Sequence, residues 1–157
     1  MIVGSIFEDK NLEQRIAITP DLIKKYKSIG LGVCLPKGYG KHLGLEDNEF
    51  LLEGAEFVND DDEVISKSNV NVQLNILNDE KLNKLKQNQT LIGVLNPYSN
   101  SEKLKNFSTK EINFFSLELL PRITRAQSMD ILSSQANLAG YKAVVDSFSY
   151  FKKAIPM

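Results

Sequence analysis

The chain has 157 residues, 42% of them hydrophobic, which is enough for one globular domain with a real core. Its 19 basic and 20 acidic residues leave a net charge of −1, so electrostatics make no case for nucleic acid or an anionic membrane as a partner. No apolar run approaches the roughly 20 residues that span a bilayer, no basic-then-apolar leader opens the chain, and the lone Cys34 excludes an internal disulfide and fits a reducing compartment.

Residues 1–7 read as a short apolar strand. Thr19 then caps a helix with Pro20 at its first position and Gly30 just past its end, the favoured start-and-stop order. Gly32–Pro36 is the next strand, and Cys34 within it reads as a small core residue. A glycine-rich loop follows at 37–44. Gly38, Gly40 and Gly44 match neither the dinucleotide fingerprint nor the phosphate-binding loop, so a flexible turn is expected. His42 in this loop has no second histidine, cysteine or carboxylate at ligand spacing, so no metal is expected.

Asp47–Glu53 reads as a helix, Ala55–Val58 as a strand and Asp61–Lys67 as a helix. Strands at 70–76 and 91–95 flank a helix at 79–87. A short helix at 100–106 and a strand at 112–117 follow. Strands alternating with short helices imply parallel pairing and right-handed crossovers. The expected fold is α/β, a three-layer α/β/α lobe over residues 1–120 with a mostly parallel, flavodoxin-like sheet. Residues 121–157 are expected to form a long connecting C-terminal helix. Ligands of such sheets collect outside the carboxyl ends of the strands, here 8–15, 75–78, 96–99 and 118–125.

The stretch 119–141 carries the most information. Thr124 and Gln127 have the spacing of a capping box at a helix start. Met129, Leu132, Ala136, Ala139 and Ala143 recur at steps of three and four as one apolar face to be buried. That face is rich in alanine, with Gly140 beside it, so another backbone can approach closely. A second stripe runs through Gln127, Asp130, Ser134, Asn137 and Tyr141. Solvated helix faces in this chain carry Lys and Glu, as 80–86 does. This one carries amides, hydroxyls and a carboxylate, short groups that bond directionally at little entropic cost. Arg122 and Arg125 stand at the helix entry, where a positive charge gains nothing from the helix dipole. An anion or carboxylate is the natural partner for at least one of them.

The run Arg122-Ile-Thr-Arg-Ala-Gln-Ser-Met-Asp-Ile-Leu-Ser-Ser-Gln-Ala-Asn-Leu-Ala-Gly-Tyr-Lys-Ala resembles the signature of the alanine dehydrogenase / NAD(P) transhydrogenase alpha-subunit family. Glu13-Gln-Arg-Ile-Ala-Ile-Thr-Pro20 resembles the first loop and helix of the same family. The likeness extends in order along essentially the whole chain. It implies a lobe of a proton-translocating transhydrogenase alpha subunit that helps pass hydride from NADH to NADP. Arg122, Gln127, Asp130 and Ser133 match the family positions that surround the nicotinamide ring. By that resemblance Gln127 and Ser133 bond the carboxamide and ribose, while Arg122 and Asp130 fix the ring's orientation. Ser134 competes with Ser133 for that contact, one position away.

NAD(H) would then be held in the complete domain, NADP(H) on a partner domain, and no metal would take part. The implied partners are the rest of the alpha subunit, the beta subunit and a second copy in a homodimer, with no nucleic acid. The implied location is cytoplasmic, peripheral to the inner membrane. No glycine-rich dinucleotide turn with its downstream acid occurs in these residues. The chain alone is therefore expected to be inactive and to bind NADH weakly, whether it is a cut piece or a short gene product.

The alanine dehydrogenase branch of the family is the rival. It uses an arginine in the first loop, a lysine on a central strand and a histidine at the end of the next. Arg15 matches the first, as a possible secondary site residue or as an ion pair with Glu13 or Glu8. Gln73 and Asn96 stand at the other two positions, and neither supplies a charge or a proton donor active near neutral pH. A third reading, from outside enzymology, is a binding module that reuses this lobe and dimerises through its alanine-rich helix.

Overall fold

The β-strands are short, and every connection between consecutive strands contains a helix begun by a polar or proline residue. The computed structural model describes residues 1–153, apart from the side chain of residue 108. It divides into two units, Met1–Ser116 and Leu117–Met157. The portion of the long-helix expectation that falls on 154–157 lies outside the described residues.

In the first unit the elements run β1 (Ile2–Gly4), α1 (Pro20–Ser28), β2 (Gly32–Pro36), α2 (Asp47–Glu53), β3 (Ala55–Val58), α3 (Asp61–Lys67), β4 (Val70–Asn75), α4 (Asp79–Lys84), β5 (Thr90–Val94), α5 (Ser101–Ser108) and β6 (Asn113–Ser116). The sheet has six strands in the order β3-β2-β1-β4-β5-β6, all parallel. This is a doubly wound order, with the switch point between β1 and β4. Leaving edge strand β3 aside, the remaining strands follow the flavodoxin-like order.

Local signals set most of these elements. α1 opens on Pro20 and is closed by Gly30, whose φ of 79° suits glycine. α3 is capped by Asp60, which accepts from Glu63 N, and α4 by Asn78, which accepts from Lys81 N. α4 ends at Lys84 rather than at residue 87, because Leu85 turns extended.

The helices divide between the two sheet faces. Ile23 of α1 and Phe50 of α2 pack with Val3, Val33, Leu35 and Ala55 in one core. Val64 and Ile65 of α3, Leu82 of α4 and Phe107 of α5 pack with Cys34 and Leu91 in the other. The two cores and the sheet between them make the three layers.

β1 is shorter than the expected 1–7 strand for a reason that positions the site. After Gly4 its backbone parts from β4, and side chains take over the ladder. Gln73 Oε1 accepts from Ile6 N at 2.9 Å and its Nε2 donates to Ile6 O at 3.3 Å. β4 also carries a register irregularity between Val72 and Asn75. The Glu8 carboxylate accepts the Leu74 N–H there at 2.6 Å.

The second unit holds two 3-10 turns, Leu117–Leu119 and Thr124–Met129, and then α6 (Ile131–Tyr150). Two expectations need correction. The capping box at Thr124 and Gln127 does not form; the turn there has no side-chain cap. The helix starts later, at Ile131, because Asp130 is the better cap and takes the Ser133 N–H. The alanine-rich face is not buried either: no residue of α6 is buried. The described residues of the second unit form only this helix and short turns, which offer no layer for α6 to pack against.

Candidate functional site

At the carboxyl edge of the first unit, the parting of β1 and β4 opens a cavity of about 690 Å³, lined by Glu8, Asp61, Gln73, Asn75, Lys81 and Lys103 among others. Its two lysines are already paired with carboxylates. Lys81 Nζ lies 3.3 Å from Asp61 and 2.9 Å from Asp62, and Lys103 Nζ lies 2.8 Å from Asp79. Burial pushes the Glu8 carboxyl up, opposed by the N–H groups of Leu74 and Asn75.

Beneath the cavity lies a buried polar network that sequence reading missed. Tyr39 is 1% exposed. Its hydroxyl accepts from Ala17 N and Ile18 N at 3.1 and 3.3 Å and bonds Ser5 Oγ at 2.7 Å. Ser5 Oγ in turn donates to Gln73 Oε1 at 2.8 Å. Burial pushes the Tyr39 hydroxyl's pKa up to about 12. The glycine-rich loop is therefore an anchor rather than a flexible turn, with Gly38 N bound to the Asp47 carboxylate at 2.9 and 3.0 Å. An aromatic residue between two glycines was the available signal. His42 ties the first loop down as well, Nε2 donating to Gln14 O at 2.7 Å. No group of three or more His, Cys, Asp or Glu among the described residues is placed to hold a metal.

Arg15 is held by its neighbour. Its guanidinium donates to Glu13 at 2.8 and 2.5 Å, a fork-to-fork pair. Those bonds hold the Glu13 carboxyl below the usual carboxylate range. Asn96 sits at φ 47°, a left-handed turn that asparagine tolerates. Its carbonyl accepts from Ser99 N and Asn100 N at 3.0 Å each.

The second unit has a cavity of its own, about 240 Å³, lined by Arg122, Ile123, Thr124, Ala126, Gln127 and Asp130. Three of the four ring-contact residues implied by the resemblance, Arg122, Gln127 and Asp130, thus share one set of walls. Ser133 joins them through Asp130, whose carboxylate accepts from Ser133 N at 3.0 Å and from Ser133 Oγ at 2.6 Å. These bonds hold the Asp130 carboxyl low, with a further contribution from the Arg122 charge. Ser134 Oγ donates instead to the backbone carbonyl of Asp130 at 2.9 Å, a bond that belongs to the helix. Among the described residues neither the Gln127 amide nor the Arg122 guanidinium has a hydrogen-bond partner, so both stay available at the cavity.

The family model described as alanine dehydrogenase/PNT, N-terminal domain, matches residues 4–139. The chain belongs to the alanine dehydrogenase/PNT family. A relative from Rickettsia prowazekii (strain Madrid E), named as the first part of an NAD(P) transhydrogenase subunit alpha, is 35% identical over 161 residues, covering 100% of this chain and 42% of that protein. Its namesake from Rhodospirillum rubrum is 35% identical over 150 residues, covering 92% of this chain and 39% of that protein. Among solved structures, the transhydrogenase from Sinorhizobium meliloti superposes with a TM-score of 0.90 at 34% identity, over 100% of this chain and 47% of that one. An L-alanine dehydrogenase shares the fold, with a TM-score of 0.69 at 19% identity. The chain spans less than half the length of these two curated relatives.

Within this alanine dehydrogenase/PNT lobe, Gln73 has a structural duty. It is 3% exposed and must donate and accept at once to stitch β1 to β4. An amide does both; a lysine has no acceptor.

Proposed function

We propose that the chain is the ring-orienting lobe of a proton-translocating NAD(P) transhydrogenase alpha subunit. The observation that carries this reading is the second unit's cavity, where an amide and a guanidinium that have no hydrogen-bond partner among the described residues stand beside a carboxylate locked by Ser133. Gln127 presents a donor and an acceptor in one plane, the complement of a carboxamide. Arg122 and Asp130 supply opposite charges that fix which way a bound ring faces. Ser133 is tied to the cavity through Asp130, whose carboxylate accepts its hydroxyl. The donor set therefore fits a nicotinamide, whose chemistry when bound is to give up a hydride. What these residues contribute is position, since donor and acceptor carbons must approach to near contact.

In this reading NAD(H) is held jointly with the rest of the alpha subunit, and NADP(H) binds a partner domain. Proton coupling belongs to membrane segments of the complete enzyme, and the lobe sits on the cytoplasmic side, peripheral to the inner membrane. Among the described residues no helix is long and apolar enough to cross a membrane. The beta subunit and a second copy complete the assembly. Amino-acid dehydrogenation is disfavoured by Gln73 and Asn96, whose side chain and backbone are committed to the fold.

The test joins this chain to the portion of the Rickettsia prowazekii subunit that its match leaves uncovered and supplies the remaining subunits. The reading expects hydride transfer from NADH to an NADP analogue and no alanine-dependent reduction of NAD. Alanine-dependent activity without transhydrogenation would replace it with the dehydrogenase reading.

A further inference from the structure

The cavity that opens where β1 parts from β4 carries unbalanced charge. The carboxylates of Glu8, Asp9, Glu13 and Asp61 line it, against the cations Lys81 and Lys103. Glu13 is taken by Arg15 and Asp61 by Lys81, while Lys103 pairs with Asp79. Glu8 and Asp9 are left with no ion pair among the described residues. Glu8 is half-buried, and its short bond comes from a neutral donor, the Leu74 N–H. Burial pushes its carboxyl up, and the charge of Glu13 adds to that. A partly desolvated negative charge without a counter-charge is one that a bound cation stabilises. Part of the remaining wall is apolar. Ile6 and Leu77 are buried, whereas Leu12 lines the cavity and is still 83% exposed.

We propose that this cavity binds a small organic cation, a primary ammonium group carried on a short aliphatic chain. The N–H donors of the ammonium match the Glu8 carboxylate and, at the exposed rim, that of Asp9, as charge-assisted bonds. The carbon chain lies against Ile6, Leu77 and Leu12, which removes the exposed leucine from water. The cavity's volume of about 690 Å³ is that of a small-molecule site and far more than a bare ion fills. Among the described residues no three metal-ligating side chains come together, which favours an organic cation over a metal. An anion is disfavoured, because both lysines of the walls are already held. The place is the switch point of a doubly wound sheet, outside the carboxyl ends of its strands, where such folds take ligands. Every lining residue belongs to the first unit, so the site is separate from the cavity of Gln127 and independent of the transhydrogenase reading.

The experiment titrates the intact chain with n-butylammonium chloride and follows it by NMR, with potassium chloride and sodium butyrate as comparison salts at equal ionic strength. The expected result is saturable one-to-one binding with a dissociation constant on the order of 1 mM. The Glu8 carboxyl should titrate at lower pH in its presence, since a cation favours the ionised form. Glu8→Gln keeps an acceptor for the Leu74 N–H and so keeps the fold; it should weaken binding by roughly tenfold or more. Asp9→Asn should weaken it less. Glu111→Gln, an exposed change just before β6 at the opposite edge of the sheet, should leave it unchanged. An equal response to potassium overturns the proposal, as it reduces the effect to salt. Saturable binding of butyrate overturns it by making the lysines the anchor. Unchanged affinity in Glu8→Gln, or no saturable binding of butylammonium at all, overturns it too. None of these outcomes bears on hydride transfer in the joined enzyme, so the functional reading is judged apart.

Discussion

The carboxylate of Asp130 takes both hydrogens that Ser133 offers, the backbone N–H at 3.0 Å and the hydroxyl at 2.6 Å. One side chain thus starts α6, fixes the Ser133 hydroxyl and lines the same cavity as Gln127 and Arg122.

That pair of bonds makes the helix start sensitive to acid. The Asp130 carboxyl is held below its ordinary value, chiefly by Ser133. A lowered folded value means the cap's contribution is complete above the unfolded value of about 4 and disappears as pH falls through the folded one. Amide exchange at 133–135 should therefore accelerate, relative to the rest of α6, as the solution is taken well below about pH 4. Asp130→Asn, which caps without titrating, should remove this pH dependence, and Asp130→Ala should fray the start at every pH. Exchange in the wild type that shows no such acid step would contradict the assignment.

Gln73 should resist conversion to the residue used by amino-acid dehydrogenases. Gln73→Lys leaves Ser5 Oγ and Ile6 N without their acceptor in a site that is 3% exposed. The loss of two buried partners should lower unfolding stability by on the order of 3 kcal/mol, measured by urea titration. A variant as stable as the wild type would show that the stitch between β1 and β4 is dispensable.

The floor beside the switch point leaves no room for growth. A Cβ on Gly93 would stand 2.5 Å from the backbone oxygen of Gln73, which cannot move without opening β4 from β5. Gly93→Ala should cost about 1–3 kcal/mol in the same titration. Gly140 is the contrast: nothing lies within 4 Å of its added Cβ. Gly140→Ala should raise the helicity of α6 and stabilise the chain by up to about 1 kcal/mol.

Asn71 is buried at 2% exposure, and among the described residues neither its Oδ1 nor its Nδ2 has a hydrogen-bond partner. Replacing it with valine, a good strand former, should raise the urea midpoint, by about 1 kcal/mol or more of stability. A lowered midpoint would mean that the amide makes a contribution its surroundings do not reveal.

How far the sequence spoke varies element by element. Gly32–Pro36, Asp47–Glu53, Ala55–Val58 and Asp61–Lys67 have the bounds expected of them, because each is closed by a local signal such as Gly54 or Asp60. The start of α6 was misread because two capping patterns overlap, Thr124 with Gln127 and Asp130 with Ser133; spacing alone does not rank them, whereas the aspartate's two bonds do. Tyr39 and the role of Gln73 were invisible because they depend on contacts between segments 34 and 68 positions apart. The apolar residues of α6 were legible as a stripe. That they lie exposed was not, since periodicity says which side wants cover and nothing about what provides it.

The most direct test is the turnover of Gln127→Ala in the joined alpha subunit, measured with NADH affinity in the same preparation. If the amide orients the ring rather than capturing the nucleotide, hydride transfer slows by roughly ten- to a hundredfold with a much smaller change in affinity. Turnover equal to that of the unmodified subunit would remove Gln127 from the site and contradict the ring-orienting role of this lobe.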